Sequence, residues 1–295
     1  MSDERHLWRT DWQPRLRALA TAEARALGAG ESVAPGLFLS ERPYPQGRIA
    51  YGIGGGRILA SGPPESLETP AGEPVHVVKA PSKQSGSPLE FLARLPARPT
   101  FANRGARLEL YCPEGDWYLV EHVPEAAFVA PDLPRRTSTS LPSRLARAVV
   151  NLVARPGERV LDPLCGTGVL LVEAARIGCE VEGSDLTWKA VRWGRENLAA
   201  LGLSGTLRHA DALELERGDP LYDVLVGDLP YGRRLEPTDP TPLVERLPPL
   251  ARRWALVSHV DLSQEFAAAG HAVELHLEVP KATFARHVFV GGEPR

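Results

Sequence analysis

The segment Arg159-Val-Leu-Asp-Pro-Leu-Cys-Gly-Thr-Gly168 predicts a strand followed by a glycine turn at the start of a helix. Its first residues predict a short buried strand that ends at Asp162, and an apolar helix over 169–177 follows. Gly166 and Gly168 let the backbone turn sharply between the two and let ligand atoms approach it closely. Because the first turn of a helix offers unpaired N–H groups, this stretch predicts a site for a nucleotide-like ligand.

The sequence around this stretch alternates between helix and strand periodicities, as in a parallel sheet covered by helices on both faces. The predicted helices are 142–154, 167–177, 187–201 and 262–268, and the predicted strands are 160–162, 180–185, 205–210, 222–228, 254–259, 272–279 and 284–291. The last two strands have no helix between them and predict a hairpin. We therefore expect an α/β fold with a seven-stranded, doubly wound sheet and a C-terminal antiparallel hairpin.

Residues 1–130 predict a smaller α+β domain without a recognisable catalytic group. Its predicted elements are helices at 16–27 and 89–95 and strands at 48–51, 57–60, 75–79, 107–111 and 117–121. Gly52 to Gly56 predict the turn of a hairpin between the first two strands. Residues 131–142 are a linker to the domain 143–295, and the hydroxyl groups of 137–140 are candidates to cap the helix that follows.

A chain of 295 residues is long enough for two domains, and its 43% hydrophobic and 24% charged residues are ordinary for a globular protein. It contains no uncharged apolar run of ~18 residues that would span a membrane. Its first residues lead to no apolar core of a signal peptide, so a cytoplasmic location is expected.

The net charge of −3 does not indicate a dedicated nucleic-acid-binding protein, because such proteins are often strongly basic. A local basic cluster nevertheless precedes the opening stretch, at Arg135, Arg136, Arg144 and Arg147. These side chains are candidates for RNA phosphate contacts, and a solvated helix face is the alternative interpretation.

The three cysteines are too few and too scattered for a disulfide framework or a zinc site, and we expect them to be reduced. Cys165 lies in the glycine turn, which favours a structural role over a nucleophilic one. The histidines are dispersed, and His209, His259 and His287 favour core or strand-end positions over metal ligation. The sequence therefore predicts no metal site.

Four aspartates fall at the carboxyl ends of consecutive predicted strands: Asp162, Asp185, Asp211 and Asp228. In an open α/β sheet the ligand binds beyond those ends. A carboxylate at Asp185 suits two ribose hydroxyl groups, which argues for an unphosphorylated ribose.

The third of these strand ends completes an adenosine pocket. The Asp211 side chain can accept a hydrogen bond from an adenine amino group, and the Ala212 backbone N–H can serve a ring nitrogen. Leu186 can cover one face of the base. This pocket suits NAD or S-adenosylmethionine.

The glycine turn separates those two ligands. A dinucleotide fingerprint seats a pyrophosphate on its glycines, whereas this turn places Asp162 at the strand end. A carboxylate would repel a pyrophosphate, but it suits the cationic amino group and sulfonium of S-adenosylmethionine. The predicted cofactor-binding residues are Asp162, Cys165, Gly166, Thr167, Gly168, Asp185, Leu186, Asp211, Ala212 and Asp228.

The turn at 162–168, together with Asp228-Leu-Pro-Tyr-Gly232, resembles the class I methyltransferases that modify exocyclic amines. More narrowly, these motifs and Leu145-Ala-Arg-Ala-Val-Val-Asn-Leu152 resemble the tRNA guanine-N2 methyltransferases that carry an N-terminal THUMP module. The resemblance covers 135–232 strongly and 250–290 loosely. It implies a Rossmann-like class I fold, S-adenosylmethionine as cofactor, tRNA as substrate and a degenerate THUMP-like or RNA-docking domain at 1–130. Related amine methyltransferases have proline where this chain has Leu229.

The chemistry of an aromatic amine fits the motif Asp228-Leu-Pro-Tyr. Its nitrogen is a poor nucleophile because the lone pair is delocalised into the ring. Asp228 and the carbonyl of Leu229 can each accept an N–H hydrogen bond and so aim the lone pair at the methyl group. Pro230 would stiffen the turn and Tyr231 would stack on a flipped base, so these four residues are the predicted catalytic set.

The sequence thus predicts an enzyme, with no membrane association and a monomer or weak dimer as its state, that methylates the 2-amino group of a guanosine in tRNA. Methylation of the 6-amino group of adenine in DNA or rRNA is the alternative with the same chemistry. Two alternatives belong to other classes: a catalytically silent RNA-binding protein and a nicotinamide-dependent oxidoreductase.

Overall fold

The structure is a computed structural model, and it describes residues 5–11, 13–69, 74–79, 95, 106–123, 128–218, 220–230, 239–281 and 284–293. The chain divides into two compact units, Met1–Val129 and Ala130–Arg295. In the described ranges, the helices are too short or too polar to cross a membrane. The predicted helix 89–95, apart from its last residue, and Tyr231 lie outside the described residues.

The first unit is built on a seven-stranded sheet with the order β2-β3-β1-β4-β7-β6-β5. Its elements are β1 His6–Thr10, α1 Arg17–Ala26, β2 Ser32–Ala34, β3 Leu37–Ser40, β4 Gly52–Gly62, β5 Val75–Lys79, β6 Leu108–Cys112 and β7 Trp117–His122. Strands β5 and β6 pair in parallel, and the other neighbours pair antiparallel. The predicted helix at 16–27 and the strands at 75–79, 107–111 and 117–121 are confirmed.

The predicted hairpin around Gly52 to Gly56 is wrong, because those glycines lie inside the single long strand β4. The buried carboxylate of Glu23 in α1 accepts hydrogen bonds from the N–H groups of Ala50 (2.6 Å) and Tyr51 (2.8 Å). The segment before β4 is therefore held as a turn rather than a strand. A Cβ atom at Gly55 would lie 2.5 Å from the Leu7 carbonyl oxygen, so glycine there reflects close strand packing and not a turn.

The second unit has the predicted seven-stranded α/β sheet, with the order β10-β9-β8-β11-β12-β14-β13. Its strands are β8 Arg159–Asp162, β9 Glu180–Asp185, β10 Thr206–His209, β11 Tyr222–Asp228, β12 Ala251–Ser258, β13 Val273–Pro280 and β14 Ala285–Gly292. Its helices are α2 Ser143–Val153, α3 Val169–Arg176, α4 Trp188–Ala200, α5 Thr241–Arg246 and α6 Ser263–Ala268. Strands β8 to β12 pair in parallel and the β13–β14 hairpin is antiparallel, which confirms the fold prediction.

The strand order reverses between β8 and β11, which places the ligand-binding crevice of such a sheet at their carboxyl ends. Val160 pairs with Val224 and Leu161 with Leu225, and β11 continues to Asp228. The edge of the sheet that holds Asp162 and Asp228 is therefore the topological switch point.

The aromatic core of the second unit fixes the hairpin against the sheet. Trp254 on β12 stacks on Phe266 of α6, with ring centroids 4.9 Å apart, and Phe266 contacts Phe289 of β14 at 5.0 Å. All three rings are buried, so they stabilise the packing of α6 against β12 and β14.

Candidate active site

The glycine turn between β8 and α3 is anchored to β9. The N–H of Cys165 donates to the Ser184 carbonyl oxygen (2.8 Å), and the N–H of Gly166 donates to Asp185 Oδ2 (3.0 Å). Gly168 closes the turn with φ +79°, a left-handed conformation that favours glycine. These hydrogen bonds therefore fix the glycine turn beside the carboxyl end of β9.

Asp185 and the segment after it form the predicted adenosine side. Asp185 Oδ1 accepts the N–H of Thr187 (2.8 Å), so both carboxylate oxygens already orient backbone N–H groups. Leu186 is 65% exposed. Its carbonyl oxygen lies 2.8 Å from His209 Nε2, and the His209 ring stacks on Trp188 with centroids 4.7 Å apart.

Asp211 lies at the start of a short 3-10 helix after β10, where its Oδ1 accepts the N–H of Leu213 at 2.9 Å. Ala212 is buried in the core of the unit. Strands β9 and β10 are neighbours, and His209 at the end of β10 pairs with Asp185 at the end of β9. Asp211 and Ala212 follow the end of β10 and therefore belong to the same edge of the sheet as Asp185.

A cavity of about 410 Å³ lies at the switch point, within the usual size range of small-molecule sites. Predicted residues that line it are Asp162, Cys165, Gly166, Thr167, Asp228, Leu229 and Pro230. Leu164, Val169, Leu170 and linker residues 137–141 complete its wall. The structure thus brings one part of the predicted cofactor set together with the described part of the predicted catalytic set, while the other predicted cofactor residues do not line this cavity: Gly168, Asp185, Leu186, Asp211 and Ala212.

Asp162 is a buried carboxyl group at the floor of the site. Burial raises its pKa well above the ordinary value, the N–H of Leu164 opposes that shift through a 3.1 Å hydrogen bond to Oδ1, and the charges of Asp228 and Asp185 add to it. A cationic group in the cavity would favour the ionised form of Asp162 and lower this pKa.

Asp228 is the second buried carboxyl group that lines the cavity. Burial raises its pKa to about 7, and the positive charges of Arg286 and Lys281 oppose that rise. Within the described part of the chain, its Oδ1 atom is shielded from solvent and accepts no hydrogen bond. A buried acceptor of this kind is costly unless a ligand donates to it.

A backbone hydrogen bond explains why this chain has leucine and not proline at position 229. The N–H of Leu229 donates to the Val257 carbonyl oxygen on β12 at 2.8 Å, a bond that proline cannot make. The Leu229 side chain is buried in the core of the unit. Leu229 is thus held both by backbone pairing with β12 and by its buried side chain.

Arg286 and Lys281 were not predicted as site residues. Arg286 lies on β14 and is only 2% exposed, and Lys281 directly follows β13. The C-terminal hairpin therefore places both positive charges near Asp228. Their positions follow from the pairing of β14 with β12, and no local sequence pattern indicates that pairing.

Asn197 was also missed, although it ties the linker to the glycine turn. Its Nδ2 donates to the carbonyl oxygens of Arg135 (2.7 Å) and Thr167 (2.8 Å), and its Oδ1 accepts the N–H of Arg135 (2.9 Å). The residue is fully buried on the face of α4 that also carries Val191 and Gly194. An asparagine at a core position of an amphipathic helix was the available signal.

The hydroxyl groups of 137–140 do not cap α2, so that expectation is wrong. Pro142 is the N-cap residue and has no capping side chain. Instead, Ser140 Oγ lies 3.2 Å from Thr167 Oγ1 and 2.9 Å from Thr137 Oγ1. Residues 137–140 thus line the cavity instead of capping α2.

The predicted basic cluster separates into exposed and buried members. Arg135 and Arg136 are exposed and Arg144 is half-buried. Arg147 is only 3% exposed and forms a 2.7 Å ion pair with Glu173, so it is not accessible to RNA and its predicted phosphate contact is wrong.

Cys165 is buried at the cavity wall, and burial together with the nearby carboxylates Asp162 and Asp185 raises the pKa of its thiol far above the usual range. A thiol with a raised pKa is a poor nucleophile. The environment therefore fits the structural role that was predicted for it.

Residues 134–245 match the family model described as "RMKL-like, methyltransferase domain". The tRNA (guanine(10)-N2)-dimethyltransferase of Methanothermobacter thermautotrophicus is 43% identical over 95 residues, which cover 32% of this chain and 28% of that protein. The tRNA (guanine(6)-N2)-methyltransferase of Thermus thermophilus is 42% identical over 101 residues, covering 32% and 30% respectively. The chain thus spans less than a third of the length of these relatives.

Among solved structures, TrmN from Thermus thermophilus superimposes with a TM-score of 0.54 at 23% identity, covering 98% of this chain and all of that one. SMU.472 in complex with SAH gives a TM-score of 0.53 at 15% identity and covers both chains completely. These likenesses show the fold. The second unit thus has the class I methyltransferase fold, and its residues 134–245 are similar to the RMKL-like methyltransferase domain.

Proposed function

We propose that the chain transfers a methyl group from S-adenosylmethionine to the 2-amino group of a guanosine in tRNA. The observation that carries this proposal is Asp228 Oδ1, a shielded acceptor without a hydrogen bond among the described residues, in the same cavity as the glycine turn. An exocyclic amine offers the N–H donor that this atom lacks. The names of the relatives, which are guanine-N2 methyltransferases acting on tRNA, favour guanine over adenine.

The residues present fit S-adenosylmethionine as cofactor. When bound, it supplies a methyl group activated by a sulfonium. The carboxyl groups of Asp162 and Asp228 would favour its positive charge, and the glycine turn leaves room for the backbone to approach it. Asp185 and Asp211 would accept hydrogen bonds from the ribose and the adenine amino group, and the exposed Leu186 would cover the base.

The chain's own contribution to the reaction is positioning. Asp228 and the Leu229 carbonyl would each accept one N–H of the amine and hold its lone pair toward the methyl group, which replaces a search in solution by a fixed geometry. An ionised Asp228 would also stabilise the positive charge that develops on the amine and can take its proton. Arg286 and Lys281 favour the ionised form. Tyr231, as the base-stacking residue, completes the proposed catalytic set with Pro230.

Binding of tRNA is proposed for the exposed arginines Arg135 and Arg136 and the half-buried Arg144. The Arg135 guanidinium already pairs with Glu196 and lies 5.9 Å from the centre of the Trp193 ring. The first unit is proposed as a THUMP-like or other RNA-docking domain, and a cytoplasmic monomer or weak dimer stays a prediction.

The full chain, incubated with a radiolabelled methyl donor and a panel of unmodified tRNA, rRNA fragments and DNA, tests this proposal. We expect label in tRNA and none with Asp228→Asn under the same conditions. Label in DNA or rRNA with tRNA unlabelled would favour methylation of the adenine 6-amino group. Binding of tRNA without any transfer, and no calorimetric binding of S-adenosylmethionine, would favour a silent RNA-binding protein.

A further inference from the structure

A second cluster of polar side chains lies on and beside the C-terminal hairpin, and the proposed methyl transfer does not use it. Its members are Asp261, His276 and His287, and one ligand atom of each lies within 4.8 Å of the other two. His276 Nε2 is 3.0 Å from His287 Nδ1 and 4.0 Å from Asp261 Oδ1. Two imidazole nitrogens and one carboxylate oxygen thus converge from three segments of the chain.

The pairing of the hairpin strands explains how the two histidines meet. His287 on β14 pairs with Glu278 on β13, two residues from His276. Side chains two residues apart on a strand share a face, so the two imidazoles are diagonal neighbours on one face of the hairpin. Ser258, the last residue of β12, pairs with His287, and the loop that follows brings Asp261 to the same place.

Neighbouring side chains orient these donors. The buried Phe289 ring stacks on His276, with centroids 4.4 Å apart and planes 17° from parallel. Ser263 Oγ donates to Asp261 Oδ1 at 2.6 Å and lies 3.4 Å from His276 Nδ1. Because that hydroxyl proton goes to Asp261, the hydroxyl oxygen can accept from His276 Nδ1–H, which leaves the lone pair of Nε2 toward His287. A ligating histidine is commonly oriented in this way through its second nitrogen.

We propose that Asp261, His276 and His287 bind one divalent metal ion of the zinc class. Imidazole and carboxylate donors suit zinc at about 2.0–2.1 Å, which separates tetrahedral ligands by roughly 3.3–3.4 Å. The separations of 3.0 and 4.0 Å bracket that value. Magnesium and calcium prefer oxygen ligands, so a pair of imidazoles disfavours them. Three protein ligands leave a fourth position for water.

This proposal departs from the sequence prediction of no metal site. That prediction relied on spacing along the chain, where Asp261, His276 and His287 are far apart, whereas the hairpin and the loop after β12 bring them together. A bound ion would fasten the loop that leads into α6 to both strands of the hairpin. That hairpin also carries Arg286, the neighbour of His287.

Calorimetric titration of the untagged, chelator-treated full chain with zinc chloride tests the proposal. We expect one ion per chain. His276→Ala and His287→Ala should each weaken binding by more than the roughly tenfold loss expected for Ser263→Ala, which removes only an orienting partner. His271→Ala is the matched control, because His271 is a half-buried histidine outside the cluster, and it should leave the affinity unchanged.

The visible spectrum of the cobalt-substituted chain is an independent readout. We expect the intense d–d bands of a four-coordinate ion in the parent chain, and their loss in His276→Ala and His287→Ala with an unchanged circular dichroism spectrum. No zinc binding, or binding that the two histidine variants retain in full, would overturn the proposal. The 3.0 Å contact would then be a hydrogen bond between two imidazoles and nothing more.

Discussion

Asp162 and Asp228 line one cavity from neighbouring parallel strands, and the negative charge of Asp228 helps to raise the pKa of Asp162. Two buried carboxyl groups so placed destabilise each other when both are ionised. A cation between them relieves that cost. In the proposed function, the carboxyl groups that would favour a cationic cofactor and the group that would accept the amine N–H therefore line the same cavity.

Asp228→Asn should abolish methyl transfer yet stabilise the chain at high pH. Burial raises the pKa of Asp228 to about 7, so the folded chain holds a proton that the unfolded chain releases near pH 4. The unfolding free energy of the parent chain consequently decreases as pH rises from about 4 through 7. The variant should gain at most about 4 kcal/mol over the parent above pH 7, and nothing below pH ~4. Urea unfolding across this pH range measures the difference.

The matched control for that experiment is Asp239→Asn, because Asp239 is an exposed aspartate before α5. Its unfolding free energy should lack the gain above pH 7, and its transfer rate should equal that of the parent. Equal stability of Asp228→Asn and the parent at pH 8 would contradict the burial argument.

The pH profile of the reaction should report Asp228. We expect kcat/KM to rise with pH through about 7, because the ionised form accepts the amine N–H. Arg286→Gln removes a positive charge that lowers this pKa, so the rising limb should move to higher pH. Arg286→Lys keeps the charge and should leave the limb near its original place. A limb that does not move in Arg286→Gln would exclude this electrostatic role.

Asp185→Asn should weaken cofactor binding. Asp185 accepts N–H bonds from Gly166 and Thr187, and an amide can accept only on its single oxygen. The loss of one charged acceptor corresponds to about 1.5–3 kcal/mol, or roughly a tenfold to hundredfold increase in Kd. Calorimetry with S-adenosylmethionine measures it. Asp223→Asn is the control, since Asp223 also accepts a backbone N–H but lies at the start of β11; equal affinity losses in both variants would refute a specific role.

Asn197→Ala should loosen the cavity wall. It leaves the carbonyl groups of Arg135 and Thr167 and the N–H of Arg135 without their side-chain partner. Loss of a buried polar network of this kind costs about 1–3 kcal/mol of unfolding free energy. We expect a comparable loss of stability by urea unfolding and weaker cofactor binding, because the linker and the glycine turn both line the cavity. Unchanged values for both quantities would show that the bridge is dispensable.

Replacement of Arg135, Arg136 and Arg144 by alanine should weaken tRNA binding and reduce its salt dependence. Each lost phosphate contact lowers the slope of log K against log salt by roughly 0.7–0.9. The control replaces Arg217, Arg246 and Arg252, which removes the same charge from segments far along the chain from 135–144. If the two triple variants lose affinity and slope equally, the effect is one of net charge and not of a local contact.

The sheet could be predicted from the sequence because periodicity and strand-end aspartates are local signals. The turn 162–168 and the strands β8 to β14 follow from them. Helix periodicity marks Asn197 as an asparagine at a core position, but its partners depend on which segments become neighbours in the fold, as does the place of Arg286. The error at Gly52 to Gly56 has the same origin: the buried Glu23, from a distant helix, binds the amides that a strand would need.

Mass spectrometry of the nucleosides from tRNA treated with the full chain and a deuterated methyl donor identifies the methylated base. We expect deuterium in N2-methylguanosine, and none with Asp228→Asn. Deuterium in N6-methyladenosine, or in no nucleoside although the chain binds S-adenosylmethionine, would refute transfer to the guanine 2-amino group.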